Sequence, residues 1–242
     1  KSLCEALEIS RVRMNGPSKV KNGTKTVLIN WGSSNVPYSK AKIFNPPTII
    51  QRIINKLVFF KEAKDNGTFR IPEWTSERPQ VIEWLNDGQI VLARTVLNGS
   101  GGSGIVILKE PQEDFVDAQL YVKYIKKSSE YRLHFYKDKE NKHILFDVQK
   151  KVKKPDTQVL CTMIRNHKNG YIFQRNNIDV PQDVIDQSTK AFVFSGLDFG
   201  AVDTIYNSYK HQAHVLEINT APGLQGQTIE LYKNALSQIV FE

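Results

Sequence analysis

The stretch HVLEINTAPGLQGQT, from His214 to Thr228, decides the fold prediction. Its apolar run carries a carboxylate at Glu217 and an amide at Asn219 and then stops in Pro-Gly, which is typical of a strand that ends in a turn. Side chains on a strand alternate between its faces, so we expect Val215, Glu217 and Asn219 to share one face. Leu216 is expected on the opposite face. Because Glu and Asn are poor strand formers, their presence here indicates a function.

A third oxygen donor ends the preceding predicted strand. The segment GLDFGAVD, residues 196–203, finishes at Asp203. If the two strands pair side by side, Asp203, Glu217 and Asn219 converge. Hard divalent cations choose oxygen ligands, and Mg²⁺ is usually held by one or two carboxylates together with substrate phosphates. The sequence therefore predicts a site for Mg²⁺, or for Mn²⁺, that is shared with a nucleotide.

Composition is that of an ordinary globular protein. The chain has 242 residues, of which 40% are hydrophobic and 24% are charged. Its two cysteines, Cys4 and Cys161, form neither a metal-ligand spacing nor a disulfide framework, which favours a reducing compartment and predicts the cytoplasm. No apolar run approaches the length of a membrane span, so no membrane partner is expected.

Positive charge is concentrated in one segment. The formal net charge is +8, and residues 121–154 hold eleven Lys or Arg against four acids. Such a basic field attracts an anion, either the phosphates of a nucleotide or a nucleic acid. The rival interpretation is a module for single-stranded nucleic acid, with stacking by Tyr121, Tyr124, Tyr131 and Tyr136. It leaves the acidic strand pair unexplained, so nucleic acid is the second choice of partner.

Periodicity and turn residues predict a mixture of helices and strands. We expect helices at 48–63, 76–87, 181–195 and 228–240, and strands at 26–31, 89–97, 104–110, 200–206 and 214–220. Three β-rich stretches between 118 and 152 indicate an antiparallel meander, and residues 155–180 are expected to form a loop-rich insertion. Helices and strands do not alternate strictly, so the predicted class is α+β.

A glycine-rich loop joins two of these strands. Gly99, Gly101 and Gly104 match G-x-G-x-x-G, but the following IVIL is a strand former and not the start of a helix, which argues against a dinucleotide-binding turn. Bare backbone N–H groups in such a hairpin can close over a triphosphate. A flexible hairpin tip is the equal alternative.

The triplet Asp198-Phe199-Gly200 raises a protein kinase as a further rival, because the aspartate of that motif binds Mg²⁺ in kinases. The chain has no H-R-D loop before the triplet and no A-P-E after it. Only 42 residues follow Gly200, too few for the helical lobe of a kinase.

The glycine hairpin, the basic sheet and GLDFGAVD followed by VLEINTAPGLQG together resemble ATP-grasp proteins, and most of all their RimK-type branch of amino-acid ligases. The resemblance covers roughly residues 48–240. It implies two α+β lobes that grip ATP and Mg²⁺, with a small lobe at 48–115 and a large lobe at 116–242. Residues 1–47 resemble part of the extra domain with which such ligases help recognise substrates. D-alanine–D-alanine ligases match less well, since Ala201 stands where they usually have an arginine.

The resemblance also implies an activity and a set of site residues. The activity is ATP-dependent ligation of a carboxylate to an amine, through an acyl phosphate and with release of ADP and phosphate. The acceptor and the carboxylate are a small molecule, a peptide or a protein terminus. The implied metal ligands are Asp203, Glu217 and Asn219. The implied nucleotide contacts are Lys56, Arg94, the loop Gly99, Ser100, Gly101, Gly102, Ser103 and Gly104, and the adenine linker Tyr121, Val122 or Lys123. The implied catalytic residues are Arg132, Lys150 or Lys151, Arg165 and Asn166, while His167 is equally well an ordinary loop histidine.

Overall fold

The computed structural model describes residues 2–12, 19–99, 101–111 and 114–240. In chain order the elements are α1 (Leu3–Ala6), β1 (Val27–Ile29), β2 (Lys42–Phe44), α2 (Pro47–Ile54), α3 (Lys56–Asn66), β3 (Trp74–Thr75), α4 (Arg78–Asn86), β4 (Val91–Arg94), β5 (Ile105–Leu108), β6 (Leu120–Lys123), β7 (Ser129–Lys137), β8 (His143–Lys153), a 3-10 turn (His167–Asn169), β9 (Tyr171–Gln174), α5 (Gln182–Ser195), β10 (Phe199–Asn207), β11 (Gln212–Asn219) and α6 (Thr228–Val240). No helix among these residues is both long and apolar enough to cross a membrane.

Two antiparallel sheets carry the fold. The larger has five strands in the order β11-β10-β7-β8-β9, and the smaller has four in the order β3-β6-β4-β5. Helix α5 covers one face of the large sheet, where Phe192 stacks on Phe135 with ring centroids 5.0 Å apart. The other face of the sheet carries Arg132 and Asp203, and α6 packs against part of it through the contact of Tyr232 with His134.

The small sheet is a hairpin with a third and fourth strand added. Strands β4 and β5 pair from Val91–Leu108 to Arg94–Ile105, and β6 pairs with the other side of β4. Helix α4 packs on it through Val81 and Leu85, both fully buried. Strand β6 also belongs to this sheet, so the sheet extends to Lys123.

The helix predicted at 48–63 is two helices. Asn55 has an extended backbone, with φ −81° and ψ 108°, and its side chain accepts hydrogen bonds from the N–H groups of Leu57 and Val58. Asn55 thus ends α2 and caps α3. The break places Lys56 at the first position of α3.

The segment expected to be a loop-rich insertion contains a strand. β9 extends the large sheet by pairing with β8 from Lys150–Gln174 to Lys153–Tyr171. With four residues it is too short to show a period of its own, and its neighbour supplies the pairing. The expectation for 155–180 was therefore wrong in this part.

The N-terminal region packs against the end of the large sheet. Its strands β1 and β2 pair in parallel. Trp31 stacks on Phe199 at 5.4 Å and meets Tyr232 of α6 edge-on at 4.8 Å. Residues 2–12, 19–47 and α6 thus share one apolar cluster.

Candidate active site

A cleft lies between the polar face of the large sheet and the glycine hairpin of the small sheet. Its walls include apolar side chains from both sheets and a set of charged ones. The charged residues that line it are Arg94, Lys123, Lys127, Glu130, Arg132, Lys151, Arg165, Asp203 and Glu217. The structure therefore brings together most of the charged residues singled out from the sequence.

A single row of side chains crosses the large sheet at the floor of the cleft. On neighbouring strands Gln149 pairs with Arg132, Arg132 with Asp203, and Asp203 with Glu217. Cβ atoms of directly opposed residues lie about 4.5–5.5 Å apart. Asp203 and Glu217 are thus immediate neighbours, as the sequence analysis expected for strands that pair side by side.

Arg132 and Asp203 form a bidentate ion pair at the centre of this row. Arg132 Nε donates to Asp203 Oδ1 over 2.6 Å, and its second nitrogen donates to Oδ2 over 2.8 Å. The side chains are 16% and 5% exposed. Burial alone would raise the pKa of Asp203, but the guanidinium, helped by the nearby Lys151 and Asn219 side chains, lowers that pKa to about 2. The same pairing raises the pKa of Arg132 despite its burial. Asp203 is therefore ionised at neutral pH.

Glu217 is held by a second cation. Lys56 Nζ lies 3.4 Å from Glu217 Oε2 and donates a 2.7 Å hydrogen bond to the carbonyl of Gly99 in the glycine hairpin. Lys56 is itself buried. The first residue of α3 thus links the acidic strand pair to the loop.

Arg94 is a buried cation of the cleft with no carboxylate in direct contact among the described residues. It is 9% exposed, and its Nε has no hydrogen-bond partner among the described residues. Burial lowers the pKa of Arg94, and the carboxylate of Glu217 opposes that shift. A buried guanidinium without a partner is costly in free energy, so this position suits an anionic ligand.

The donor set at 203, 217 and 219 fits a hard divalent cation. Asn219 follows Glu217 on β11, and its buried Nδ2 has no hydrogen-bond partner among the described residues. The described part of the chain contains no group of three or more His, Cys, Asp or Glu side chains that could hold a metal. The donor set here has two carboxylates, and its third member is a carboxamide. Two carboxylates with one carboxamide suit Mg²⁺ whose remaining ligands are phosphate oxygens.

A β-bulge changes the expected facing of β11. Asp203 pairs with Glu217, but the next residue, Thr204, pairs with Val215, so Leu216 is the extra residue. Leu216 lines the cleft beside Glu217, and Val215 is fully buried in the core. The expectation that Val215 shares the face of Glu217 and that Leu216 opposes it was therefore wrong, because the bulge resets the alternation.

The glycine hairpin reaches the cleft through Gly101 and Gly102. Gly102 has a φ of +83°, and a Cβ there would lie 2.7 Å from Ile164 Cγ2, so only glycine fits this contact. Gly99 contributes its carbonyl to Lys56, and the carbonyl of Gly104 accepts from Thr95 N. Ser103 is exposed on the loop. Ser100 lies outside the described residues.

Lys151 points into the cleft and Lys150 does not. Lys151 Nζ donates to Glu130 Oε1, and Lys127 Nζ lies 2.8 Å from Glu130 Oε2. Burial would raise the pKa of Glu130, and the two lysines lower it instead. Lys150 lies on the opposite face, 5.5 Å from the ring of Tyr131.

Sequence reasoning missed Glu130 and Lys127. Glu130 is two residues before Arg132 on a strand, so the period of two could have placed it on the same face. Lys127 lies in the irregular connection before β7, where no period applies.

The three residues expected to form the adenine linker all lie in β6 of the small sheet. Tyr121 donates its hydroxyl hydrogen bond to Val116 O and is packed against α4, away from the cleft. Val122 and Lys123 line the cleft, but the Lys123 N–H donates to Glu73 O, and the Tyr124 N–H donates to Ile90 O. Ile125, the next residue after Tyr124, also lines the cleft.

Arg165 and Asn166 close one wall of the cleft. Arg165 donates to the carbonyls of Ser128 (3.3 Å) and Lys127 (3.1 Å). Asn166 Nδ2 donates to Gly101 O over 2.6 Å, and its Oδ1 accepts from Asn169 N. His167 is exposed and does not line the cleft. Asn166 thus joins the large sheet to the glycine hairpin.

The two rival interpretations lose their structural basis. Of the four tyrosines, Tyr121, Tyr131 and Tyr136 are at most 8% exposed and offer no stacking surface to a nucleic acid, and only Tyr124 is partly exposed, in the cleft. Asp198 of the kinase-like triplet accepts a hydrogen bond from Asn45 N and pairs with Lys137 at 3.2 Å. That aspartate therefore fastens the N-terminal region to β10 outside the cleft.

No protein-family model and no curated protein matches the chain. Among solved structures it is similar to N5-carboxyaminoimidazole synthetase from Staphylococcus aureus complexed with ADP, with a TM-score of 0.61 and 17% identity over 83% of this chain and 55% of that chain. It is also similar to the ATP-grasp ligase PsnB complexed with a minimal precursor, with a TM-score of 0.59 and 15% identity over 82% of this chain and 64% of that chain. For D-alanine–D-alanine ligase from Bacillus anthracis the TM-score is 0.57 and the identity 12%, over 81% of this chain and 70% of that chain.

These likenesses confirm the predicted fold. The chain has the α+β ATP-grasp fold, and it spans little more than half of the length of the synthetase from Staphylococcus aureus.

Proposed function

We propose that the protein is an ATP-dependent carboxylate–amine ligase, and more narrowly an amino-acid ligase of the RimK type. One observation carries this proposal: Asp203 and Glu217 are paired across β10 and β11 in the same cleft as the glycine hairpin and the buried cations. A ligase of this kind needs oxygen ligands for a metal beside cations for phosphate.

The lining of the cleft offers groups for both the base and the phosphates of a nucleotide. Its apolar residues, which would contact the base, include Phe60, Leu92, Ile105, Val122, Ile125, Met163 and Ile164. Arg94, Arg132 and Lys151 lie toward the acidic strand pair and would contact the phosphates. Asp203, Glu217 and Asn219 would hold Mg²⁺ or Mn²⁺, which offsets phosphate charge when bound.

The reaction proceeds in two displacements. A carboxylate oxygen of the substrate attacks the γ-phosphorus of ATP, which forms an acyl phosphate and releases ADP. The amine then attacks the acyl carbon, the phosphate leaves, and the amine loses a proton. The protein supplies no nucleophile: Arg94, Arg132 and Lys151 would stabilise the transferring phosphoryl group, and the glycine hairpin held by Asn166 would exclude water.

The substrates are a carboxylate and an amine acceptor, on a small molecule, a peptide or a protein terminus. Similarity to PsnB with its precursor and to a D-alanine–D-alanine ligase supports both a peptide and a small acceptor. Ala201 argues against D-alanine, as above. Cys4 and Cys161 form no disulfide, which supports a cytoplasmic location.

Two measurements test the proposal. Calorimetry should detect ADP binding in the presence of Mg²⁺, and a screen of carboxylate and amine pairs should give ADP release with an amide product by mass spectrometry. Glu217→Gln should lower ADP release on the order of 10²-fold or more while the protein still unfolds cooperatively, because the metal that would offset phosphate charge loses one of its two carboxylate ligands. Glu140→Gln, at an exposed hairpin position, is the control. Absence of any ADP binding would refute the function.

A further inference from the structure

We propose that Asp203 and Glu217 each hold an internal cation that occupies the place of the metal, so that metal and nucleotide bind by exchange of ion pairs. Arg132 and Lys56 are those cations. The inference rests on the proposed function, since it concerns how the same cleft takes up a nucleotide with its metal.

Of the two ion pairs, that of Arg132 and Asp203 has the shorter contacts and is the more buried. Both side chains are largely buried, and two hydrogen bonds join them. A metal ion that took the carboxylate alone would leave a buried guanidinium without its counter-charge. A phosphate that took the guanidinium alone would leave a buried carboxylate in the same state.

The pair of Lys56 and Glu217 is looser and can exchange first. Its 3.4 Å separation is longer than a strong charge-assisted hydrogen bond. The side chains are 9% and 24% exposed, and Lys56 also holds Gly99 O. An exchange at Glu217 therefore frees a cation that already touches the loop expected to cover the phosphates.

A nucleotide and a metal together satisfy all four charges. Asp203 and Glu217 then bind the metal, and Arg132 and Lys56 bind the phosphates. No buried charge is left unpaired. Each ligand alone must break a pair without replacing both partners. The affinities of metal and nucleotide are consequently coupled through these two pairs, and the coupling is reciprocal.

The experiment uses ADP and Mn²⁺ as separate probes of the full chain. Calorimetry measures ADP affinity without metal, and electron paramagnetic resonance measures Mn²⁺ affinity without nucleotide. Lys56→Met frees Glu217 and should tighten Mn²⁺ binding severalfold. Glu217→Gln frees Lys56 and should tighten metal-free ADP binding severalfold. Both changes fall within the range of about 5- to 150-fold that is typical of coupled sites.

The double variant separates pair exchange from a simple change of charge. If Glu217 acts by holding Lys56, Glu217→Gln should no longer tighten metal-free ADP binding in the Lys56→Met background. Lys137→Met breaks the ion pair of Lys137 with Asp198, which lies on the same sheet outside the cleft, and should change neither affinity.

Two results would overturn the inference. One is an unchanged Mn²⁺ affinity in Lys56→Met, and the other is an equal effect of Glu217→Gln with and without Lys56. ADP binding in the presence of Mg²⁺ would then still stand, so the proposed function would survive. Absence of ADP binding under every condition would remove both. Asp203→Asn, which frees Arg132 and should also tighten metal-free ADP binding, provides the test if a variant at Lys56 or Glu217 fails to fold.

Discussion

Lys150 and Lys151 are adjacent in the chain, but their side chains lie on opposite faces of β8. Lys151 lies in the cleft against Glu130, and Lys150 lies over the ring of Tyr131. We predict that Lys151→Met lowers kcat/KM for ATP by about 10²-fold, because it removes a positive charge that is proposed to contact the phosphates. Lys150→Met should stay within a few fold. Steady-state ADP release measures both.

The two variants are matched in chemistry and differ only in facing. Equal losses in both would contradict the assignment of Lys151 to the phosphates. Thermal unfolding of each variant separates loss of activity from loss of fold.

These lysines also show where residue-level prediction stops. The period of two placed Glu217 and Asn219 on one face of β11, where Glu217 lies opposite Asp203 and Asn219 lies opposite Ala201. It could not choose between Lys150 and Lys151, because the choice needs the register of β8 against β7, in which Arg132 faces Gln149. That register is set by packing between the strands, so the sequence of either strand alone does not determine it.

At the scale of elements, the break at Asn55 positions Lys56. The apolar spacing of 48–63 is helical throughout, so it predicted one helix and missed the cap. We predict that Asn55→Ala lowers the free energy of unfolding by about 1 kcal/mol, since the N–H groups of Leu57 and Val58 lose their acceptor. Urea denaturation measures this change.

Asn55→Asp keeps a capping oxygen and should retain nearly all of the stability. Loss of stability in both variants would mean that the amide nitrogen matters and not the cap. A shift of ADP affinity in Asn55→Ala alone would show that the cap also orients Lys56.

The bulge at Leu216 and strand β9 are two further features that the sequence did not predict. A bulge adds one residue without changing composition, so the alternation of HVLEIN gave no sign of it. Strand β9 forms because β8 runs eleven residues and extends far enough for its last four to pair. Both features depend on a neighbouring strand.

At the scale of the whole molecule, Asn45 fastens the N-terminal region to the large sheet. Its amide donates to Phe199 O (2.8 Å), its Oδ1 accepts from Asp198 N (2.8 Å), and its own N–H donates to Asp198 Oδ2. Asn45 has a φ of +58° and is fully buried. These contacts span more than 150 residues of chain and leave no local pattern, so the sequence alone does not predict that residues 1–47 are fastened to the large sheet.

A histidine is buried between the large sheet and α6, and we expect it to make the stability of the fold depend on pH. His134 is 1% exposed, its Nδ1 is hydrogen-bonded to the hydroxyl of Tyr232 (2.9 Å), and that hydroxyl donates to Gly200 O. Burial, together with the nearby Arg132 guanidinium, lowers the pKa of His134 from 6.5 to about 4, although the carboxylate of Asp147 opposes the shift. The folded protein therefore binds this proton less readily than the unfolded chain.

Because unfolding takes up that proton, the free energy of unfolding should fall as the pH drops from 6.5 to 4, by up to about 3 kcal/mol from His134. Burial lowers the pKa of His143 and His214 in the same direction, so part of the slope should remain without His134. We predict that His134→Gln flattens the dependence over this range in urea denaturation at successive pH values. His211→Gln, at an exposed ring, should leave the slope as it is. An unchanged slope in His134→Gln would mean that this histidine takes up its proton without unfolding the protein.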